Sequence, residues 1–107
     1  MIFNQWYAIL PSSSVRPLQI LAVRRLNMDL VLFRSASGEL GCCVDQCTHR
    51  GAALSGGRIR GSCLQCPFHG LEFDVGGRCT FVPAYGRAST EDLTRFNVRR
   101  YVVREEH

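Results

Sequence analysis

Lysine is absent from this chain, and every one of its thirteen basic side chains is arginine. Against nine acids these leave a formal charge of only +4, with Arg50, Arg58, Arg60, Arg78 and Arg87 carrying most of the excess through the central stretch. So small a surplus suits an acidic protein partner as well as nucleic acid, and nucleic-acid binding is not expected. Long apolar runs are also missing. The longest, at 20–23 and 30–33, are strand-sized and well short of the roughly 20 residues a membrane helix needs, so no membrane association is expected. The opening Met1-Ile2-Phe3-Asn4-Gln5-Trp6 has no basic head and no continuous apolar core, and Arg24-Arg25 is followed by polar Asn27 and Asp29. Neither pattern is that of an export signal, and a cytoplasmic protein is expected. There is no internal repeat, no helical periodicity of useful length and no G-x-G-x-x-G after a strand, which sets aside repeat folds, helix bundles and dinucleotide binding. At 107 residues the chain is one small domain with one core, 1–107.

What the chain has is short apolar runs alternating with turn residues. Ten Gly and four Pro punctuate them, the pattern of a many-stranded antiparallel β domain. Strands are expected at 6–10, 18–23, 29–34, 39–44, 62–65, 71–74, 78–82 and 96–103, with tight turns near Asn27, at 35–38 and at Val75-Gly76-Gly77. Two glycine-rich loops, 45–57 and 66–70, interrupt this series.

Six cysteines, at 42, 43, 47, 63, 66 and 79, are an even number that would allow three disulfides in a secreted miniprotein. Without an export signal, thiols and metal thiolates are the expected forms. The two loops contain Cys47-Thr48-His49 and Cys66-Pro67-Phe68-His69, that is C-x-H, sixteen intervening residues, then C-x-x-H. Two of only three histidines fall inside this pattern; His107, the third, ends the sequence. Each loop therefore offers one thiolate and one imidazole. A [2Fe–2S] cluster with two Cys on one iron and two His on the other asks for this set. Thiolates stabilise ferric iron, whereas uncharged imidazoles leave their iron the easier one to reduce. A single tetrahedral zinc competes, because Cys63-Leu64-Gln65-Cys66 is a C-x-x-C that could join Cys47 and His49, or His69, to make a Cys₃His site. Against zinc stand the tight C-x-H spacing and the alternation of a 62–65 strand, which turns Cys63 away from Cys66. Cys42, Cys43, Cys63 and Cys79 are expected to be small buried or half-buried thiols.

The sequence resembles the Rieske domain of the Rieske non-haem iron oxygenases along nearly its whole length. The resemblance begins at Asn4-Gln5-Trp6-Tyr7. It continues through Leu30-Val31-Leu32-Phe33-Arg34 and through Cys47-Thr48-His49-Arg50-Gly51-Ala52-Ala53-Leu54-Ser55-Gly56-Gly57. It ends with Leu64-Gln65-Cys66-Pro67-Phe68-His69-Gly70-Leu71-Glu72-Phe73-Asp74, Gly77-Arg78-Cys79 and Val82-Pro83. The H-G-L-E-F-D form is nearest to oxygenases of the vanillate O-demethylase and dicamba monooxygenase type.

The resemblance implies an all-β Rieske fold, an antiparallel sandwich or barrel base carrying a small two-loop cluster-binding subdomain. It implies one [2Fe–2S] cluster held by Cys47, His49, Cys66 and His69, with backbone N–H groups around Arg50, Gly51 and Gly70 directed at the cluster sulfurs. Respiratory Rieske proteins add a Cys to each loop and a Ser after the second His-Gly; here those positions are Ala52, Phe68 and Leu71. The likeness is therefore to the oxygenase class, with a potential at the low end of the Rieske range, below about 0 mV. In that class a reductase or ferredoxin delivers electrons, and a catalytic mononuclear non-haem iron domain accepts them. That domain needs a 2-His-1-carboxylate set, which His107 alone cannot supply. The expectation is an electron-transfer domain without its downstream catalytic domain, from a homo-oligomeric parent, with no oxygenase turnover of its own. A stand-alone Rieske-type ferredoxin is the alternative.

Overall fold

Four consecutive side chains, Leu30, Val31, Leu32 and Phe33, are wholly buried, which a strand achieves only when both of its faces are covered. They lie in the middle of the central strand of the base. The computed structural model of the protein describes residues 8–11, 15–25, 27–48, 51–101 and 103–106. Within these, β2 (Ile20–Arg25), β3 (Met28–Arg34) and β4 (Leu40–Val44) form an antiparallel sheet in the order β2-β3-β4. Asn27, at φ 63°, makes the tight β2–β3 turn expected there. A second antiparallel sheet follows in chain order: β5 (Arg58–Arg60), β6 (Cys63–Gln65), β7 (Glu72–Phe73) and β8 (Cys79–Phe81). Among the described residues the only helical turns are short 3₁₀ pieces, Leu54–Gly56 and Thr94–Phe96. The fold is all-β, as expected, and no helix among the described residues is long and apolar enough to cross a membrane.

Alternation along β3 divides the interior. Val31 and Phe33 face the four-stranded sheet and share a core with Cys43, Leu54, Leu64, Leu71 and Phe73. Leu30 and Leu32 face the other way and pack with Val15, Cys42 and Tyr101. In the four-stranded sheet the register sorts side chains into two rows. Ile59, Leu64, Phe73 and Cys79 line up on the core face, and Arg58, Gln65, Glu72 and Phe81 line up on the outer one. The ladder skips Thr80 between Phe81, opposite Glu72, and Cys79, opposite Phe73. This bulge keeps Phe81 on the outer row, where strict alternation would have turned it inward.

Strand β5 lies outside the expected strands, and two further details differ from the sequence expectation. Instead of one strand over 96–103, the chain makes the Thr94–Phe96 turn and then runs along the free edge of β4. Contacts there are an Arg100–Cys43 bridge, Val44 N–H to the Arg99 carbonyl (3.0 Å) and Tyr101 N–H to the Cys42 carbonyl (2.8 Å). Strand β9 starts only at Val103 (Val103–Glu106), and it pairs with β1 (Ala8–Pro11) in parallel. The all-antiparallel expectation fails there because these strands come from opposite ends of the sequence. No tight hairpin joins them, so nothing local fixes their relative direction.

Candidate metal centre

The first loop leaves β4 and the second joins β6 to β7, and the two share one backbone frame. The Cys47 N–H donates to the Ala52 carbonyl at 2.7 Å, and the Cys66 N–H donates to the Leu71 carbonyl at 2.8 Å. Four residues after each cysteine stands a glycine at φ +74°, Gly51 in the first loop and Gly70 in the second. An L side chain resists that left-handed conformation, so glycine at this spacing closes both six-residue loops in the same way. The Gly51 N–H also donates back to the Cys47 carbonyl (2.8 Å), so what Gly51 gives the loop is the shape of its turn.

Both cysteines point inward. Cys47 and Cys66 are buried members of the main core, whereas His69 is exposed beside Phe68, whose side chain is 75% accessible. The Phe68 and His69 rings meet edge to face with centroids 6.4 Å apart. His49 and Arg50 lie outside the described residues. The centre therefore has thiols on the core side and at least one imidazole on the solvent side.

Different contacts hold the two loops on the sheets. For the first, Asp45 accepts from the Ser55 N–H (2.7 Å) and hydroxyl (2.6 Å), and the Thr48 hydroxyl donates to the Phe96 carbonyl (2.5 Å). Where the first loop meets β6, a Cβ on Gly57 would stand 1.9 Å from the Gln65 carbonyl oxygen. Gly57 is thus required by the close approach of two backbones.

The second loop stands on the outer row of the sheet. Gln65 and Glu72 are register partners at its neck, and Gln65 Nε2 donates to Glu72 Oε2 at 3.3 Å. Glu72 is almost fully buried and takes Arg87 Nη2 at 2.8 Å, with Arg60 Nε at 3.6 Å. Arg87 stacks on Phe81, its guanidinium carbon 3.8 Å from the ring centroid, and its hydrogen bond to Glu72 holds its pKa above the ordinary value. Arg58 Nε donates to Gln65 Oε1 at 3.0 Å, fixing which way the amide points. The sequence did not join these residues into one group. Alternation on either side of Cys66 and Leu71 would have paired Gln65 with Glu72, but Arg87 arrives from a loop whose path no local pattern specifies.

The other four cysteines take the places expected of structural thiols. Burial pushes Cys42 and Cys43 up to about 12 and raises Cys79 as well. Cys63 shares the outer face with Gln65, its sulfur 3.4 Å from the Thr80 hydroxyl, while Cys66 turns into the core. No disulfide joins any of the six cysteines. Among the described residues no three Cys, His, Asp or Glu side chains gather as a single-ion site, which the zinc arrangement would require of Cys47, Cys63 and Cys66. A two-iron centre makes no such demand, because its ligands divide two and two.

The model of the Rieske [2Fe-2S] domain matches residues 5–101. The chain belongs to this family. The Rieske chain is 39% identical to 4beta-methylsterol monooxygenase of Methylococcus capsulatus over 94% of its own length and 27% of that protein. It is 41% identical to the oxygenase component of dicamba O-demethylase from Stenotrophomonas maltophilia, over 95% of its length and 29% of the relative. The crystal structure of dicamba monooxygenase superposes with a TM-score of 0.78 at 35% identity, covering 94% of this chain and 31% of that one. The Rieske chain thus spans under a third of the length of these relatives. Family membership implies one Rieske-type [2Fe–2S] cluster, and the donor set fits it: two inward thiols on matched turns and an outward imidazole.

Proposed function

We propose that this chain is the electron-transfer domain of a Rieske-type oxygenase. In this reading Cys47 and Cys66 hold one iron of the cluster and His49 and His69 hold the other. When bound, such a cluster takes up and returns one electron. The observation that carries the reading is the pair of matched loops with thiols buried and His69 exposed. The buried thiols lie within a packed core that excludes water, and the exposed imidazole gives the centre an outlet to a partner. Gly51 and Gly70 hold the loop backbones, and the amides around Arg50 and Gly70 are the donors nearest the ligands in sequence.

With His49 and His69 used as ligands, His107 is the one imidazole left, too few for a 2-His-1-carboxylate iron site. These residues therefore supply the electron-transfer part, and oxygen activation belongs to a catalytic non-haem iron domain that accepts the electron. A reductase or ferredoxin is the donor, and the parent is a homo-oligomer in which His69 meets a neighbouring subunit. The names of the relatives favour a monooxygenase or demethylase over a dioxygenase. Two cluster thiolates and four further cysteines without a disulfide suit a reducing compartment, hence the cytoplasm.

The test is a reductive titration of anaerobically purified protein. One electron per chain should bleach the visible absorption, produce an EPR signal and pass on to an added oxidant, with no oxygenase turnover. Protein that accepts no electron under these conditions defeats the proposal.

A further inference from the structure

Glu72 is a carboxylate buried at the neck of the second loop, three residues beyond His69, and its surroundings are those of a built site. Its oxygens face Arg87 at 2.8 Å, Gln65 Nε2 at 3.3 Å and Arg60 at 3.6 Å, and Arg58 joins through Gln65. One carboxylate and three guanidiniums give this neck a formal charge of +2. The first loop's neck has Asp45 bonded to the uncharged Ser55. The loops therefore share a backbone frame and differ in the charge placed beneath them.

These charges are not equally felt. The Arg60 and Arg87 side chains are each 55% exposed, so water and salt screen them, whereas the Glu72 side chain is 6% exposed. A buried unit charge acts through a lower effective dielectric than an exposed one, so the least screened charge at the neck is the negative one. The Phe81 ring supports the Arg87 guanidinium, 3.8 Å from its centroid.

We propose that Glu72, fixed by Arg87, Arg60 and Gln65, is a positioning residue that sets the reduction potential of the cluster through the charge at the neck of the second loop. The inference rests on the cluster assignment above. An added electron is opposed by Glu72 and favoured by the arginines, so removing either moves the potential in a sign fixed by the charge removed.

Iron and sulfide analysis of the wild-type protein comes first; a wild type without cluster overturns the assignment, and with it this proposal. Given a loaded wild type, Glu72→Gln should raise the midpoint, increasing the reduced-to-oxidised ratio at fixed potential about three- to tenfold, or roughly 30–60 mV for one electron. Arg87→Gln should lower it. An unchanged midpoint in Glu72→Gln, or shifts of the same sign in both variants, overturns the proposal, because loosening of the loop would not respect charge. Should Glu72→Gln fail to fold or to hold iron, Arg87→Gln and Arg60→Gln decide. Lower midpoints support the proposal and unchanged ones overturn it.

Discussion

The two cysteine loops are nearly the same object built twice on different foundations. Cys47 to Ala52 and Cys66 to Leu71 close with the same hydrogen bond and the same left-handed glycine. Beneath the first lie Asp45 and Ser55; beneath the second lie a buried carboxylate and three arginines. The backbone repeats because both loops must present a thiol inward from a tight turn. The supports differ because only the second loop joins neighbouring strands of a sheet, which brings Gln65 and Glu72 face to face. Loop shape and loop electrostatics are therefore separable, and substitutions can change one without the other.

The largest expected effect tests whether the loops are equivalent as ligand carriers. Cys47→Ser and Cys66→Ser should each abolish the cluster, read as loss of iron, labile sulfide and visible absorption, and destabilise the domain because metal binding and folding are coupled. A variant that keeps a full cluster would remove its loop from the site.

A second contrast sets the base thiols against the loop thiols. Cys42 and Cys43 are held near 12 against an ordinary value of 9.0, with burial the main cause. Each keeps its proton when folded and loses it when unfolded between about pH 9 and 12. Their stabilisation is fully present below pH 9 and falls as pH rises, by about 1.4 kcal/mol per pH unit for each thiol. Denaturant unfolding from pH 8 to 11 should show this decline, and Cys42→Ala with Cys43→Ala should flatten it. At pH 8 both thiols should resist alkylation in the folded protein.

The smallest effect sharpens the loop comparison itself. Gly51→Ala and Gly70→Ala each force a side chain into φ +74°, at a cost of about 1–2 kcal/mol. The added Cβ meets Gln46 in one case and Pro83 in the other, both at 3.2 Å. Thermal unfolding should give nearly equal losses. Unequal ones would mean that the supports, and not the shared frame, carry the stability of the loops.

Much of this was legible in the sequence because it is local. The Cys/His spacings, the glycine four residues after each loop cysteine, Asn27 in its turn and the four-residue apolar run in β3 are all set by nearby residues. The features missed are those that depend on distant segments. Nothing near β1 or β9 fixes their parallel pairing, and the bulge at Thr80 has no glycine to announce it. Arg87 finds Glu72 only after the chain has folded back from β8. His49 is a candidate from its spacing and Arg50 from the family resemblance, and both lie outside the described residues.

Whether the two loops together hold one two-iron centre is tested most directly by the metal and sulfide content of anaerobically purified protein. Two iron and two acid-labile sulfide per chain are expected, with a reduced-state EPR signal and a midpoint below about 0 mV. One zinc per chain with no labile sulfide would contradict it.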